Sequence, residues 1–154
     1  MVTDSPPAGL SDPCPLIVDL DGSLIRTNLL WEGLATLVLR QPGHLAGAVA
    51  ALLRGRAPFK AYVANRARLD LETVPLEPSV MRLIQEAIEA GRRVILTSGA
   101  HESQVVRFGR RIGATEFCGS DGSTNLIGSS KLTWILTRCD RFDYIGNGPA
   151  DLPM

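Results

Sequence analysis

The sequence lacks the features that mark disulfide-rich, zinc-binding, nucleic-acid-binding and membrane-spanning chains. The three cysteines are odd in number, widely spaced and form no CxxC pair, which disfavours a disulfide framework or a zinc site and favours reduced thiols. Lys plus Arg and Asp plus Glu both number 16, so the basic excess of a nucleic-acid binder is missing. The longest uninterrupted stretch of apolar residues and glycine, residues 45–53, is far shorter than the roughly 20 residues that cross a bilayer.

Two further absences concern the compartment and the nucleotide chemistry. Residues 1–13 are polar and rich in proline, without the basic start or apolar run of a signal peptide, so we expect a disordered leader on a cytoplasmic protein. No GxGxxG follows the first predicted strand, which argues against a flavodoxin-like or nucleotide-binding domain. Hydrophobic residues make up 45% of the chain, which is enough for the core of one globular domain over residues 14–154.

Short apolar runs alternate with helical segments along the rest of the chain. Strands are predicted at residues 16–19, 93–97, 115–118 and 142–145, and helices at 78–90, 101–112 and 131–138. Three more helices are predicted between 28 and 68, the last of them from about residue 59 to 67. This alternation predicts an α/β fold, a three-layer Rossmann-like arrangement with a parallel sheet between helices. In such sheets ligands bind beyond the carboxyl ends of the strands.

Residues 28–68 are predicted to form a small all-helical insert between the first two strands. The segment is rich in Leu, Ala and Val and contains Trp31 and Tyr62. One interpretation is that the apolar stripes form the core of the insert itself. The other is an apolar surface that favours a lipid-like phosphate as substrate. A lid of this kind closes over a site, excludes water and selects the substrate.

Two carboxylates, Asp19 and Asp21, follow the first predicted strand. At spacing i and i+2 they can project to the same side and bind a hard cation such as Mg²⁺ through oxygen. A carboxylate can also attack phosphorus, and its neighbour can protonate the leaving oxygen and then activate water. Gly22 allows the chain to turn away afterwards. The alternative is an ordinary Asp-Gly turn after a strand.

The stretch Val18-Asp19-Leu20-Asp21-Gly22-Ser23-Leu24 resembles the first motif of the haloacid dehalogenase (HAD) superfamily of phosphatases, with Ser where Thr is more usual. The stretch Ile95-Leu96-Thr97-Ser98-Gly99 resembles the second motif. The resemblance implies that Asp19 is the nucleophile and Asp21 the general acid and base. It also implies that Ser98, with Gly99, holds a phosphate oxygen; Thr97 is the alternative hydroxyl.

Two later segments extend the resemblance. Lys131, near a helix start, corresponds to the lysine of the third motif, which offsets the charge of the phosphate and the carboxylates. The stretch Gly146-Asn147-Gly148-Pro149-Ala150-Asp151 resembles the fourth motif, with Asn147 where the family usually has a metal-binding Asp. The implied Mg²⁺ site therefore consists of Asp19, Asp21, Asn147 and Asp151, with one anionic ligand fewer than usual.

Segments beyond the motifs resemble, more narrowly, the HAD domain fused ahead of UbiA-type prenyltransferases, which are bacterial membrane proteins. They are residues 21–34, 97–102, 120–125 and 142–153. The resemblance implies a prenyltransferase domain as a possible partner and a location at the inner face of the membrane. Because a HAD core usually continues past its fourth motif, we also expect a truncated C-terminus, an exposed edge strand and a tendency to self-associate.

Two functions from different classes follow from these residues. The first is a Mg²⁺-dependent phosphohydrolase that acts on a small or prenyl-type phosphate through an aspartyl-phosphate intermediate. The second is a degenerate, non-catalytic module that binds phosphate or regulates an associated prenyltransferase. Asn147 favours the second function, whereas the presence of Asp19, Asp21, Ser98 and Lys131 favours the first.

Overall fold

Four parallel strands form the middle layer of the fold in the order β3-β2-β1-β4. They are β1 (Leu16–Asp19), β2 (Val94–His101), β3 (Glu116–Ser120) and β4 (Asp143–Ile145). The structure is a computed structural model, and it describes residues 13–146. Every strand pair is parallel, so the α/β fold with a Rossmann-like sheet is confirmed.

Helices cover both faces of the sheet. They are α1 (Leu29–Arg40), α2 (Leu45–Leu53), α3 (Arg56–Arg66), α4 (Pro78–Glu89), α5 (Glu102–Ile112) and α6 (Ser129–Leu136), with a 3₁₀ turn at Pro42–His44. Side chains alternate across β1, so Leu16 and Val18 pack with α4 and α5 while Ile17 packs with Ile135 of α6. A strand that is buried on both faces has to be apolar on both, as β1 is.

Some element boundaries differ from the predicted ones. Helix α3 begins at Arg56 instead of residue 59, because Pro58 lies in the first turn of the helix, where its missing N–H is not needed. Strand β2 continues to His101 instead of ending at residue 97, with a register shift against β3 after Thr97. The longer strand carries the segment 98–101 along the carboxyl edge of the sheet.

The segment 28–68 contains three helices, α1, α2 and α3, and they have a small core of their own. Leu37, Ala48, Val63 and Ala67 are buried together there. These positions agree with the interpretation in which apolar stripes form the core of the insert. Between residues 13 and 146, no helix combines the length and the apolar character needed to cross a bilayer.

A glycine near the end of β3 sets how closely that strand approaches α5. A Cβ atom at Gly119 would lie 2.7 Å from the Cα of Glu102, which is backbone and cannot rotate away. At the exposed Gly122, a Cβ atom would meet nothing within 4 Å. Gly119 therefore allows the contact that positions the start of α5 beside the carboxyl ends of the strands.

We expect Gly119→Ala to lower the free energy of unfolding by about 1–3 kcal/mol, because the backbones of β3 and α5 would have to separate. Gly122→Ala, the matched control, should change it by less than about 0.5 kcal/mol. Urea denaturation of both variants measures the difference. Equal stability of the two variants would contradict the close approach.

Candidate active site

A buried ion pair lies at the carboxyl end of β1. Asp19 is the last residue of that strand, and Lys131 lies in the first turn of α6. Both side chains are buried, and Lys131 Nζ donates to Asp19 Oδ1 at 2.7 Å. The same ammonium donates to the hydroxyl of Tyr144 in β4 at 3.1 Å. Two buried opposite charges at this distance stabilise one another, whereas either alone would be costly to bury.

Asp21 lies in the tight turn that follows β1. The amides of Leu24 and Ile25 donate to the carbonyls of Asp19 and Leu20 at 3.2 and 3.0 Å, which closes the turn. Gly22 adopts a φ of +79° there, a conformation that glycine accepts without strain. The turn keeps Asp21 at the carboxyl end of β1, where its carboxylate reaches Ser98 of β2.

The carboxylate of Asp21 joins the sheet to the helical insert. Its Oδ1 accepts from the amide of Leu29, the first residue of α1, at 2.8 Å. Its Oδ2 accepts from the hydroxyl of Ser98 in β2 at 3.0 Å. Both oxygens are therefore oriented by groups from two other segments of the chain.

Burial raises the pKa of the Asp21 carboxyl above its ordinary value. The hydrogen bonds from Leu29 and Ser98, and the charges of Lys60 and Lys131, act in the opposite direction but do not outweigh desolvation. The protonated form of Asp21 thus persists to higher pH than that of an exposed aspartate. A proton donor for a leaving group needs this property near neutral pH.

The two candidate hydroxyls at the end of β2 differ in their partners. The fully buried Ser98 donates to Asp21 and accepts from the amide of Ala100 at 2.9 Å. Thr97 lies opposite Asp19 in the strand register, and its buried hydroxyl has no hydrogen-bond partner among residues 13–146. Ser98 is thus the hydroxyl that contacts the carboxylate network, and Thr97 is not.

Lys60 of α3 is a site residue that the sequence interpretation missed. Its ammonium donates to the carbonyl of Gly99 at 2.7 Å and to Asn125 Oδ1 at 2.6 Å. Partial burial lowers the pKa of Lys60, although the charge of Asp21 opposes this shift. One signal existed, because the chain has only two lysines among its 16 basic residues, and both lie at this site.

A cleft of about 150 Å³ opens where the insert meets the carboxyl edge of the sheet. Its lining includes Asp21, Leu29, Lys60, Gly99, Gln104 and Ile127. The cleft is smaller than the roughly 300–1,000 Å³ of pockets for drug-sized ligands, so it suits a small group. Asp21 and Lys60 therefore line the same cleft.

Two of the four predicted metal ligands, Asn147 and Asp151, lie outside the described residues. Within residues 13–146, no three Asp, Glu, His or Cys side chains form a cluster that could hold a metal ion. Asp19 and Asp21 nevertheless supply the hard oxygen donors that Mg²⁺ prefers. The donors that the structure describes therefore fit part of a Mg²⁺ site.

Solved structures with a similar fold include a HAD family hydrolase and a probable phosphoserine phosphatase. The chain resembles a HAD family hydrolase from Salmonella enterica serovar Typhi, with 15% identity over 92% of this chain and 60% of that one, at a TM-score of 0.63. It also resembles a probable phosphoserine phosphatase from Vibrio cholerae, with 15% identity over 91% of this chain and 53% of that one, at a TM-score of 0.60. The chain therefore has the HAD-like fold.

Sequence comparison finds a relative that is much longer than this chain. No protein-family model matches the chain. An uncharacterized protein, y4nM, from Sinorhizobium fredii (strain NBRC 101917 / NGR234) is 32% identical over 142 residues. That match covers 91% of this chain but 28% of the relative, so the chain spans little more than a quarter of that protein's length.

The raised pKa of Asp21 has a consequence for stability. The folded protein holds this proton more tightly than the unfolded chain, so the free energy of unfolding decreases as pH rises above the ordinary aspartate range. We expect Asp21→Asn, which carries no charge, to melt at a higher temperature than the wild type at about pH 8. The advantage should shrink as the pH falls towards about 4.

Thermal melts in EDTA across this pH range measure the effect without bound metal. Glu89→Gln removes an exposed carboxylate of α4 and should follow the wild-type curve. A difference in melting temperature between Asp21→Asn and the wild type that did not depend on pH would contradict the desolvation of Asp21.

Proposed function

We propose that this chain is a Mg²⁺-dependent phosphohydrolase of the HAD superfamily that hydrolyses a phosphate monoester through an aspartyl-phosphate intermediate. One observation carries the proposal: Asp19, Asp21, Ser98 and Lys131 come from three distant parts of the sequence and meet at the carboxyl ends of β1 and β2. A nucleophile, a proton donor, a hydroxyl and a cation are the groups that phosphoryl transfer requires.

In the first step, a carboxylate oxygen of Asp19 attacks phosphorus, and the bond from phosphorus to the ester oxygen breaks. The leaving alkoxide takes the proton of the Asp21 carboxyl, whose raised pKa keeps that proton available. Lys131 already contacts Asp19 in a buried site and compensates the negative charge that the phosphate adds. Ser98 and Gly99 supply the hydroxyl and amide that would hold phosphoryl oxygens.

In the second step, Asp21, now ionised, accepts a proton from a water molecule. The water oxygen attacks phosphorus, and the bond to Asp19 breaks, which releases inorganic phosphate and restores both carboxyl groups. Asp19, the backbone carbonyl of Asp21, and Asn147 or Asp151 would hold Mg²⁺. When bound, the ion offsets charge on the transferring phosphoryl group.

The substrate class is limited by the cleft. A space of about 150 Å³ between Asp21 and Lys60 suits a small polar group next to the phosphate. A small phosphorylated metabolite and a prenyl-type phosphate both satisfy the ester chemistry. Lys60 adds a positive charge beside the leaving group, which favours a substrate with polar or anionic character there.

The second candidate is a non-catalytic phosphate-binding or regulatory domain associated with a UbiA-type membrane prenyltransferase. Asn147 supports it, because an amide in place of a carboxylate should weaken Mg²⁺ binding. The relative from Sinorhizobium fredii is also much longer than this chain, as expected of a domain that works within a larger protein.

The test between the two candidates is the Mg²⁺-dependent release of phosphate from an aryl phosphate. We expect activity that is lost in EDTA, restored by Mg²⁺ and abolished in Asp19→Asn, because the amide cannot form the phosphoenzyme. Glu89→Gln is the matched control and should retain full activity. Circular dichroism of Asp19→Asn confirms that the variant is folded although Lys131 has lost its anionic partner.

A folded wild-type chain that releases no phosphate from several esters at high Mg²⁺ would rule out the catalytic function. Phosphate binding that persists in that inactive protein would then support the binding or regulatory module. Activity that survives Asp19→Asn would instead assign the nucleophile to another group.

A second prediction separates the two hydroxyls at the end of β2. We expect Ser98→Ala to lower kcat/KM on the order of 100-fold, because one donor to the phosphoryl oxygens is lost. The near-isosteric Thr97→Val should keep the activity and raise the free energy of unfolding by roughly 1 kcal/mol, because a buried unpaired hydroxyl is removed. The reverse pattern of activities would assign the phosphate contact to Thr97.

A further inference from the structure

Charge is unevenly divided between the helical insert and the rest of the chain. Residues 28–68 contain six of the 16 Lys and Arg residues but one of the 16 Asp and Glu residues. No acidic residue occurs between Glu32 and Asp70. Lys60 is directed at the cleft, and the other five basic residues are exposed: Arg40, Arg54, Arg56, Arg66 and Arg68. The solvent side of the insert is therefore strongly cationic on a chain that is neutral as a whole.

The same helices expose large apolar side chains. Trp31 and Leu39 of α1 are 67% and 80% exposed, and Leu53 of α2 is 85% exposed. Val38, Val49 and Leu52 are also exposed. In the rest of the described chain, the most exposed large apolar side chain is Leu136, at 50%. Scattered exposed leucines are ordinary, whereas their concentration on two short helices marks an interaction surface.

The exposed apolar residues follow the helical period. Trp31, Ala35 and Val38 fall on one side of α1, opposite the buried Gly33 and Leu37. On α2 the exposed Ala46, Val49, Ala50 and Leu53 fall on one side, with Leu52 exposed outside this stripe, while Ala48 and Ala51 are buried. Each helix thus has an apolar side that packs in the insert and a second apolar stripe that faces solvent. The core of the insert does not need the second stripe.

We propose that the outer face of α1 and α2 binds to an anionic lipid surface. Two exposed leucines, Leu39 and Leu53, are each followed directly by an exposed arginine, Arg40 and Arg54. Apolar side chains that enter the boundary between headgroups and acyl chains, next to guanidinium groups that pair with lipid phosphates, are the combination that holds a helix in the plane of a membrane.

Charge distinguishes this partner from the other possible occupants. A second copy of the chain would bring the same arginines face to face, and the repulsion would oppose the apolar contact. Nucleic acid would satisfy the arginines but not the aliphatic side chains. Bases stack on aromatic rings, so the exposed leucines and valines would stay in contact with water. An anionic bilayer satisfies both the cationic and the apolar part of the surface.

Co-sedimentation of the full chain with vesicles tests the proposal. We expect binding to vesicles of phosphatidylcholine mixed with phosphatidylglycerol, and little binding to phosphatidylcholine alone. Arg54→Gln with Arg56→Gln should weaken vesicle binding about 30-fold, because each variant position removes one positive charge that the anionic lipid headgroups attract. Leu39→Ser with Leu53→Ser should weaken it at least about tenfold. Both pairs are exposed, so the variants should fold.

Matched control variants lie outside the insert. Arg82→Gln with Arg110→Gln removes two exposed arginines of α4 and α5, and Leu83→Ser with Leu136→Ser removes two exposed leucines. Neither pair should change vesicle binding. In a Trp134→Phe background, Trp31 reports its own environment, and its emission should shift to the blue with phosphatidylglycerol vesicles.

Several results would overturn the proposal. They are the absence of binding to both vesicle types, an equal loss of vesicle binding in the control variants and the insert variants, and an unchanged Trp31 emission. Concentration-dependent dimerisation without lipid, abolished by Leu39→Ser with Leu53→Ser, would assign the face to a second copy of the chain instead. None of these readouts depends on phosphatase activity, so this proposal and the proposed function fail separately.

Discussion

A lysine and an aspartate that are 112 residues apart in sequence form a buried ion pair on which the candidate site depends. Burial of one charge alone would cost several kcal/mol, so Asp19 and Lys131 require each other and fix α6 against the end of β1. Through Tyr144 the same ammonium contacts β4 as well. A phosphate that reached Asp19 would meet a cation already held in place, with little reorganisation.

The helical insert is connected to the sheet through polar groups of the candidate site. Asp21 accepts from the first amide of α1, and Lys60 of α3 donates to the carbonyl of Gly99. Because burial raises the pKa of Asp21, any movement of the insert that admits water to this carboxyl would lower that pKa and weaken Asp21 in its proposed role as proton donor. The position of the insert and the proton affinity of Asp21 are therefore linked through the contact between Asp21 and the start of α1.

The insert has two sides with different chemistry. One side contributes Lys60 and Leu29 to the cleft, and the other exposes apolar stripes among arginines. The interpretation of the insert as its own core is right for Leu37 and Val63, but it leaves the outer stripes of α1 and α2 unexplained.

The sequence by itself determined the parallel α/β fold, because apolar runs such as residues 16–18 are short, buried on both faces and separated by amphipathic helices. It also indicated Asp19, Asp21 and Ser98, because carboxylates and hydroxyls at strand ends are local patterns, whereas Lys131 was indicated through the resemblance to the third HAD motif. Local patterns could not indicate Lys60. Its position in the site comes from the packing of α3 over β2, where Lys60 contacts Gly99, 39 positions away in the sequence. Tertiary packing likewise decided that Asp21 is desolvated and that the apolar stripes of α1 and α2 face outward, because packing determines which side chains contact water.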